Sequence, residues 1–450
     1  MATRVRSLTV ALACVTACGG LVLIPAPAQA ASRCTNFQPG ADLSSCNLSG
    51  KNLSGRNLSG ADFEHANLSR ADLAHDNLSD ANFILSDLNW ANLTGATLTE
   101  ADFDKTLLSD VDVSNARFAH AWFTLIVSRH VMGRPASLPT HWQLTDGFLI
   151  GPGDNLSGAQ LHAANLRGAD LENSILSGAN LNGVDLSFAD LAGDELFSAT
   201  GVGANLRDAD IQRTFFVRAT FTGANFRDTN GSDSYLESQF AGSDFAGANL
   251  SNVIFEGSDM ARANFTGTAL AGSDLALVLS GGIVGTPTSL PPHWTLAGGY
   301  FLGPIDDLQG ADLTDVDVGA ADLTWANLAG ATLTGADLAT AVLKDVASGQ
   351  IVGAPAALPT NWKAVDGYLV GPTAQLDAAT LSNADLSDAD LDEANLANAD
   401  LNGANLSDAD LASATLAGAT VTGVTWSNTI CPDSTNSDED DGTCADHLTG

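Results

Sequence analysis

From residue 43 onward a large apolar side chain returns at every fifth position. In the stretch ADFEHANLSRADLAHDNLSDANF, residues 61–83, these centres are Phe63, Leu68, Leu73, Leu78 and Phe83. An α-helix repeats its buried face near 3.6 residues and a strand at 2, so neither explains a period of five. The residue two before each centre is mostly alanine, and the other three are mostly polar or glycine. Two side chains per pentad therefore point inward, one large and one small, and three point to water. Such units bury nothing alone and must stack, with backbone groups paired between successive coils.

The centres run without a slip from Leu43 to Phe123, Leu156 to Leu236, Phe240 to Leu275, Leu308 to Leu343 and Leu376 to Trp426. That makes about 61 pentads, far beyond the three or so repeats a solenoid needs. Phe63, Phe83, Phe103 and Phe123 are spaced by twenty residues, and Phe245 and Phe265 repeat the interval, although Phe118 and Phe255 fall off it. Four pentads per coil would stack these rings as a ladder. Gly201 and Gly231 occupy centres, where they should leave the interior unfilled and soften their coils, and the register loses one residue between Leu236 and Phe240.

The unit Ala, Asp or Asn, Leu or Phe, Ser or Thr, Gly resembles the A(D/N)LxG pattern of the pentapeptide-repeat family over most of the chain. Ala164-Asn165-Leu166 and Ala384-Asp385-Leu386 show its first three places. The resemblance implies an all-β fold, a right-handed quadrilateral β-helix. At four pentads per coil and ~4.8 Å per coil it would form a rod on the order of 70 Å long.

Three interruptions share one design: GRPASLPTHWQLTDGFLIGP from Gly133, GTPTSLPPHWTLAGGYFLGP from Gly285 and GAPAALPTNWKAVDGYLVGP from Gly353. The flanking centres, Phe123 and Leu156, Leu275 and Leu308, Leu343 and Leu376, differ by 33 in each case. Trp142, Trp294 and Trp362 precede Phe148, Tyr300 and Tyr368, with Asp-Gly or Gly-Gly between, which predicts a β-hairpin. Each aromatic pair is either a recognition surface, for sugar rings or a protein, or a plug whose rings pack on each other across the hairpin.

The expected organisation is a leader at 1–30, solenoid segments at 31–125, 155–277, 307–345 and 375–428, inserts at 126–154, 278–306 and 346–374, and an acidic tail at 429–450. Arg4 and Arg6 followed by apolar Leu8–Ile24 and Ala28-Gln29-Ala30 read as a secretory signal peptide cut after Ala30. The alternative is lipid attachment at Cys18. The protein would then be secreted or held at the cell surface, with no transmembrane segment after signal removal. In an exported chain, the local pairs Cys34 with Cys46 and Cys431 with Cys444 read as disulfides.

The chain carries 53 acidic against 18 basic residues. That field repels nucleic acid, and Arg207, Arg213, Arg218 and Arg227, interrupted by aspartates, do not amount to a basic patch. No nucleophile elbow, phosphate loop or zinc-protease motif is present, so no catalytic residue, metal ligand or cofactor is assigned. Outward aspartates follow from the repeat, as do the Asn-Leu-Ser triplets that mimic glycosylation sites, as at Asn47. His65 and His75 read as solvated corners; His141 and His293 match between inserts, but the third copy has Asn361. The tail Asp433–Cys444 lacks calcium-loop spacing and reads as a disulfide-closed acidic loop.

These features point to a non-enzymatic structural or interaction scaffold whose partner is an unidentified protein or cell-surface polymer. The family resemblance adds an alternative, an acidic mimic of DNA that inhibits an enzyme such as gyrase.

Overall fold

A computed structural model describes residues 34–439 and 441–448. The proposed leader and Cys18 lie outside the described residues. The chain winds as a stack of coils in which residues twenty apart form parallel bridges, beginning with Asp42 to Asp62 and Asn47 to Asn67. Four pentads therefore close one coil. Backbone pairing alternates between neighbours: Leu43 N–H donates to Asp62 O at 2.8 Å, and Asp62 N–H returns to Ala41 O at 2.9 Å.

Each place in the pentad has a physical reason. The Asp or Asn before the centre forms the bridge, and its side chain accepts the N–H two residues on, as Asn52 does from Ser54 at 3.0 Å. The same side chains link coils: Asn82 donates to Asp62 and Asn92 to Asp72, both at 3.0 Å. The last residue turns the corner in the left-handed region, which glycine adopts freely at Gly60, φ 66°. His65 and His75 occupy such corners at φ 57° and 61°.

The centres and their small partners form the core. Leu68, Leu166 and Leu206 are fully buried. Phe63, Phe83 and Phe103 stack at 5.0 Å between successive rings, within 15° of parallel; Phe123 instead meets Phe103 edge-on at 85°. Phe118 and Trp142 press on Phe123 and account for its turn.

The expected voids at Gly201 and Gly231 are absent. A Cβ on Gly201 would come within 2.2 Å of the Phe221 ring, and one on Gly231 within 2.8 Å of Leu250. Larger centres one coil away occupy the space the glycines leave. The one-residue slip is absorbed at one corner, where Thr220 bridges Gln239 and later coils keep the new register. Ser238 seals it by donating to Phe216 O and accepting from Ala219 N–H.

The inserts are shorter than the expected 126–154, 278–306 and 346–374. Val127, Met132 and Ser137 still bridge Leu107, Asp112 and Arg117, so the coil runs on after Phe123, and the other two copies do the same. Sequence pattern hides this because the centres there are Ser128, Gly133 and Leu138. The excursion proper is a hairpin: β1 (Gln143–Thr145) with β2 (Phe148–Ile150), β3 (Thr295–Ala297) with β4 (Tyr300–Leu302), and β5 (Lys363–Val365) with β6 (Tyr368–Val370). Both turn residues have positive φ, Asp146 at 48° and Gly147 at 79°, the turn whose twist suits two antiparallel strands. Stacking then resumes, with Ala347 bridging Gln375 across the third hairpin.

Both ends are capped. Cys34–Cys46 and Cys431–Cys444 are disulfides. Arg56 lies over Phe37 at 5.3 Å near the first coil. The acidic tail folds back so that Ser437 is buried, donating to Trp426 O and accepting from Thr429 N–H at 2.9 Å. Terminal caps of this kind shield the exposed end of a repeat array.

Candidate functional site

The three hairpins gather the off-pattern aromatic residues, and their register decides what those rings can touch. Thr145 faces Phe148, Ala297 faces Tyr300 and Val365 faces Tyr368, so the tryptophans do not pair with the aromatic residues across the turn. The expected Trp-aromatic packing is therefore corrected: each tryptophan precedes its strand and lies against a glycine beyond the hairpin. A Cβ on Gly151, Gly303 or Gly371 would stand 2.3, 2.1 or 2.3 Å from the ring of Trp142, Trp294 or Trp362. Trp142 also meets Phe123 edge-on at 4.9 Å.

Of the six candidate interaction residues, Phe148 is buried and Trp142, Trp294, Tyr300, Trp362 and Tyr368 are half-buried. The tyrosine hydroxyls face backbone: Tyr300 accepts from Asp312 N–H and Tyr368 from Thr380 N–H, both at 3.0 Å. Each hairpin tip is tied to the coil, since the carbonyls of Gly147, Gly299 and Gly367 accept from Val131, Ile283 and Ile351 at 2.9 Å. Beneath, Ser128, Ser280 and Ser348 receive the N–H of Leu149, Phe301 and Leu369. Much of the chemistry that the three copies share is thus spent in seating the hairpin.

The matching His141, His293 and Asn361 share a role that sequence reading missed. His141 lies 3.1 Å from Asp170, His293 3.5 Å from Asp322, and Asn361 donates to Asp390 at 2.6 Å. All three partners lie 29 residues on. That common offset was the available signal, and asparagine keeps the contact because only a donor is required.

Acidic chemistry also hides inside the coil. Asp76, Asp154, Asp194 and Asp306 occupy the inward small position and are buried, each with at least one carboxyl oxygen lacking a partner. Burial pushes Asp76 up to about 7 and Asp306 up to about 8, and raises Asp154 and Asp194 well above the ordinary carboxylate range. At the surface the reverse holds: hydrogen bonds from the Thr435 hydroxyl and N–H, with His447 beside it, hold Asp433 down at about 2. Among the described residues no group of three or more His, Cys, Asp or Glu is placed to hold a metal ion.

A solenoid of four pentads per coil, capped at both ends, defines the class. The chain belongs to the pentapeptide-repeat family, whose Pentapeptide repeats model matches residues 40–74, 66–110, 86–124, 155–193, 202–230, 238–275, 307–345, 374–408 and 389–428. Among solved structures the chain is similar to QnrB1, a plasmid-mediated fluoroquinolone resistance protein, at 13% identity over 51% of this chain and 81% of that one, TM-score 0.20. It is also similar to a pentapeptide repeat protein of the Arabidopsis thaliana thylakoid lumen, at 28% identity over 23% of this chain and 70% of that one, TM-score 0.17. HetL, involved in heterocyst differentiation regulation in Nostoc sp. strain PCC 7120, is 18% identical over 90% of this chain and 95% of its own, TM-score 0.11. No curated protein matches.

Proposed function

We propose that the protein is a secreted, non-enzymatic scaffold that displays binding groups on a rigid pentapeptide-repeat coil. The observation that carries this reading is how the polar residues are used. Asp, Asn, Ser and Thr of the repeat are engaged in turn and ladder hydrogen bonds, as at Asn52, Asn82 and Asp385. Binding groups are then residues that depart from the pattern, and several are large, apolar and exposed: Trp90, Trp122, Phe188 and Trp325. The two end-closing disulfides support an oxidising location. Of the described residues, no helix is long and apolar enough to cross a membrane.

The test is a pull-down from the extracellular fraction of the producing cells, comparing wild type with a variant in which the corner residues Trp90 and Trp325 are replaced by Gly and Trp122 by Asp, the residues usual at those places in the repeat. Loss of specific partners in the variant is expected. A protein found only in the cytoplasm, or partners retained in full, would overturn the reading. The formal net charge of -35 supports a second reading, a DNA mimic acting on gyrase. A supercoiling assay unchanged by micromolar protein removes it.

A further inference from the structure

Resting on the scaffold reading, we propose that the cleft beside the first hairpin binds one pyranose unit of an uncharged polysaccharide. The cleft measures about 340 Å³ and is bounded by His120, Trp122, Thr124, Pro139, Thr140 and Trp142. That volume is at the small end of ligand-sized clefts, roughly 300 to 1,000 Å³.

Trp122 is the anomaly. It stands at the position before a centre, where the coil beneath has Asp102, to which it is bridged. It is 69% exposed, the most exposed of the large apolar side chains among the described residues. The turn and ladder bonds made by Asp or Asn at this position are lost by the substitution, and a large hydrated apolar surface is added. Trp142 forms the other wall, held by Gly151 behind it and by Phe123 at 4.9 Å. One wall is therefore packed against the coil and the other stands open to solvent.

The chemistry selects the occupant. An indole face carries the negative side of its quadrupole outward, which suits the weakly positive C–H groups on the apolar face of a sugar ring. The hydroxyls of Thr124 and Thr140 supply donors and acceptors for ring substituents. Among the boundary residues only His120 can be charged, and the net negative field of the chain disfavours an anionic polymer. The other copies lack the same wall: Asp274 and Val342 stand where Trp122 does, and Gly272 and Thr340 where His120 does. The site thus belongs to the first insert alone.

The test titrates the protein with hexasaccharides of β-1,4-linked glucose, β-1,4-linked N-acetylglucosamine and α-1,4-linked glucose, and with a polygalacturonate hexamer and a proline-rich peptide as contrasts. Tryptophan fluorescence and calorimetry are the readouts. A neutral hexasaccharide should bind and quench, and Trp122→Asp, the residue the second copy carries, should weaken it at least tenfold with an unchanged thermal midpoint. Binding of none of the neutral sugars, preference for the anionic sugar or the peptide, or equal affinity of wild type and Trp122→Asp would overturn the proposal. The extracellular pull-down stands apart: partners recovered there without sugar binding would sink this inference and leave the scaffold.

Discussion

Two stretches of the same coil solve the same packing problem differently. From Ala374 to Leu416 every inward small residue is alanine and every inward large one leucine, and nearly all are fully buried. From Thr214 to Val278 the small positions include Thr214, Thr229, Ser234, Ser238, Ser243, Ser258, Thr268 and Ser273, while phenylalanine fills seven centres between Phe216 and Phe265. Hydroxyls are tolerated inside because the wall offers acceptors: Ser243 donates to Phe221 O at 2.8 Å and Thr268 to Phe245 O at 2.7 Å. An aspartate brings at most one O–H donor, and only while protonated, and each of the buried aspartates leaves at least one carboxyl oxygen unpaired. The inward small position thus tests for a donor as well as for size.

The largest effect should come from the rings of the mixed stretch. Phe221→Ala opens the space over Gly201 and should cost about 3–5 kcal/mol, as for other buried aromatic truncations. Leu396→Ala, in the alanine-leucine stretch, should cost less. Chemical denaturation with hydrogen exchange of the local amides measures both, since a repeat array need not unfold as one unit. Equal costs would mean that ring size adds nothing to this core.

Next comes pH. Asp306 is neutral in the folded coil up to about 8 but titrates near its ordinary value of 3.8 when unfolded. Between those values the folded state holds the extra proton, so its contribution to stability is full below about pH 4 and falls as pH rises to 8. Asp306→Ala places the residue found at the matching Ala374, which is fully buried. The variant should match or trail wild type at pH 4 and exceed it at pH 8, by on the order of a few kcal/mol. Denaturation midpoints at the two pH values measure this, and a gain independent of pH would mean that burial had not raised Asp306.

The hairpins mark a third solution, in which β2, β4 and β6 replace part of a coil wall. Gly371→Ala drives a methyl to 2.3 Å from Trp362 and should cost about 1–3 kcal/mol by overpacking, read from the thermal midpoint. A neutral result would show that the indole shifts freely.

The sequence displayed the coil readily because a five-residue period has no other simple source. Bridges at a spacing of twenty, the slip near Phe240 and both disulfides agree with that reading. Where Ser128 and Gly133 stand as centres, the apolar signal vanishes although the backbone pairing continues, so the inserts read as too long. Composition at Gly201 suggested a void because the ring that fills it, Phe221, is twenty residues away. The cleft at Trp122 was less legible still. Trp142 was visible as a repeated motif, but its neighbour lies inside an ordinary pentad and joins it only through the hairpin's return.

The smallest expected effects test the donor rule directly. In Thr268→Val the shape is kept and the hydroxyl lost, while Phe245 O retains its bond from Ala248 N–H at 3.0 Å. The cost should be about 0.5–1.5 kcal/mol, the usual net value of one hydrogen bond. The reverse change, Ala399→Ser, puts a donor where the coil below presents the carbonyl of Leu376, which already accepts from Ala379 N–H at 3.0 Å. It should alter stability by under ~1 kcal/mol, whereas Ala399→Asp should destabilise increasingly as pH rises from 4 to 8, again from denaturation midpoints. If serine and aspartate proved equally costly at pH 8, size alone would govern the inward position, and the contrast between the two stretches would reduce to volume.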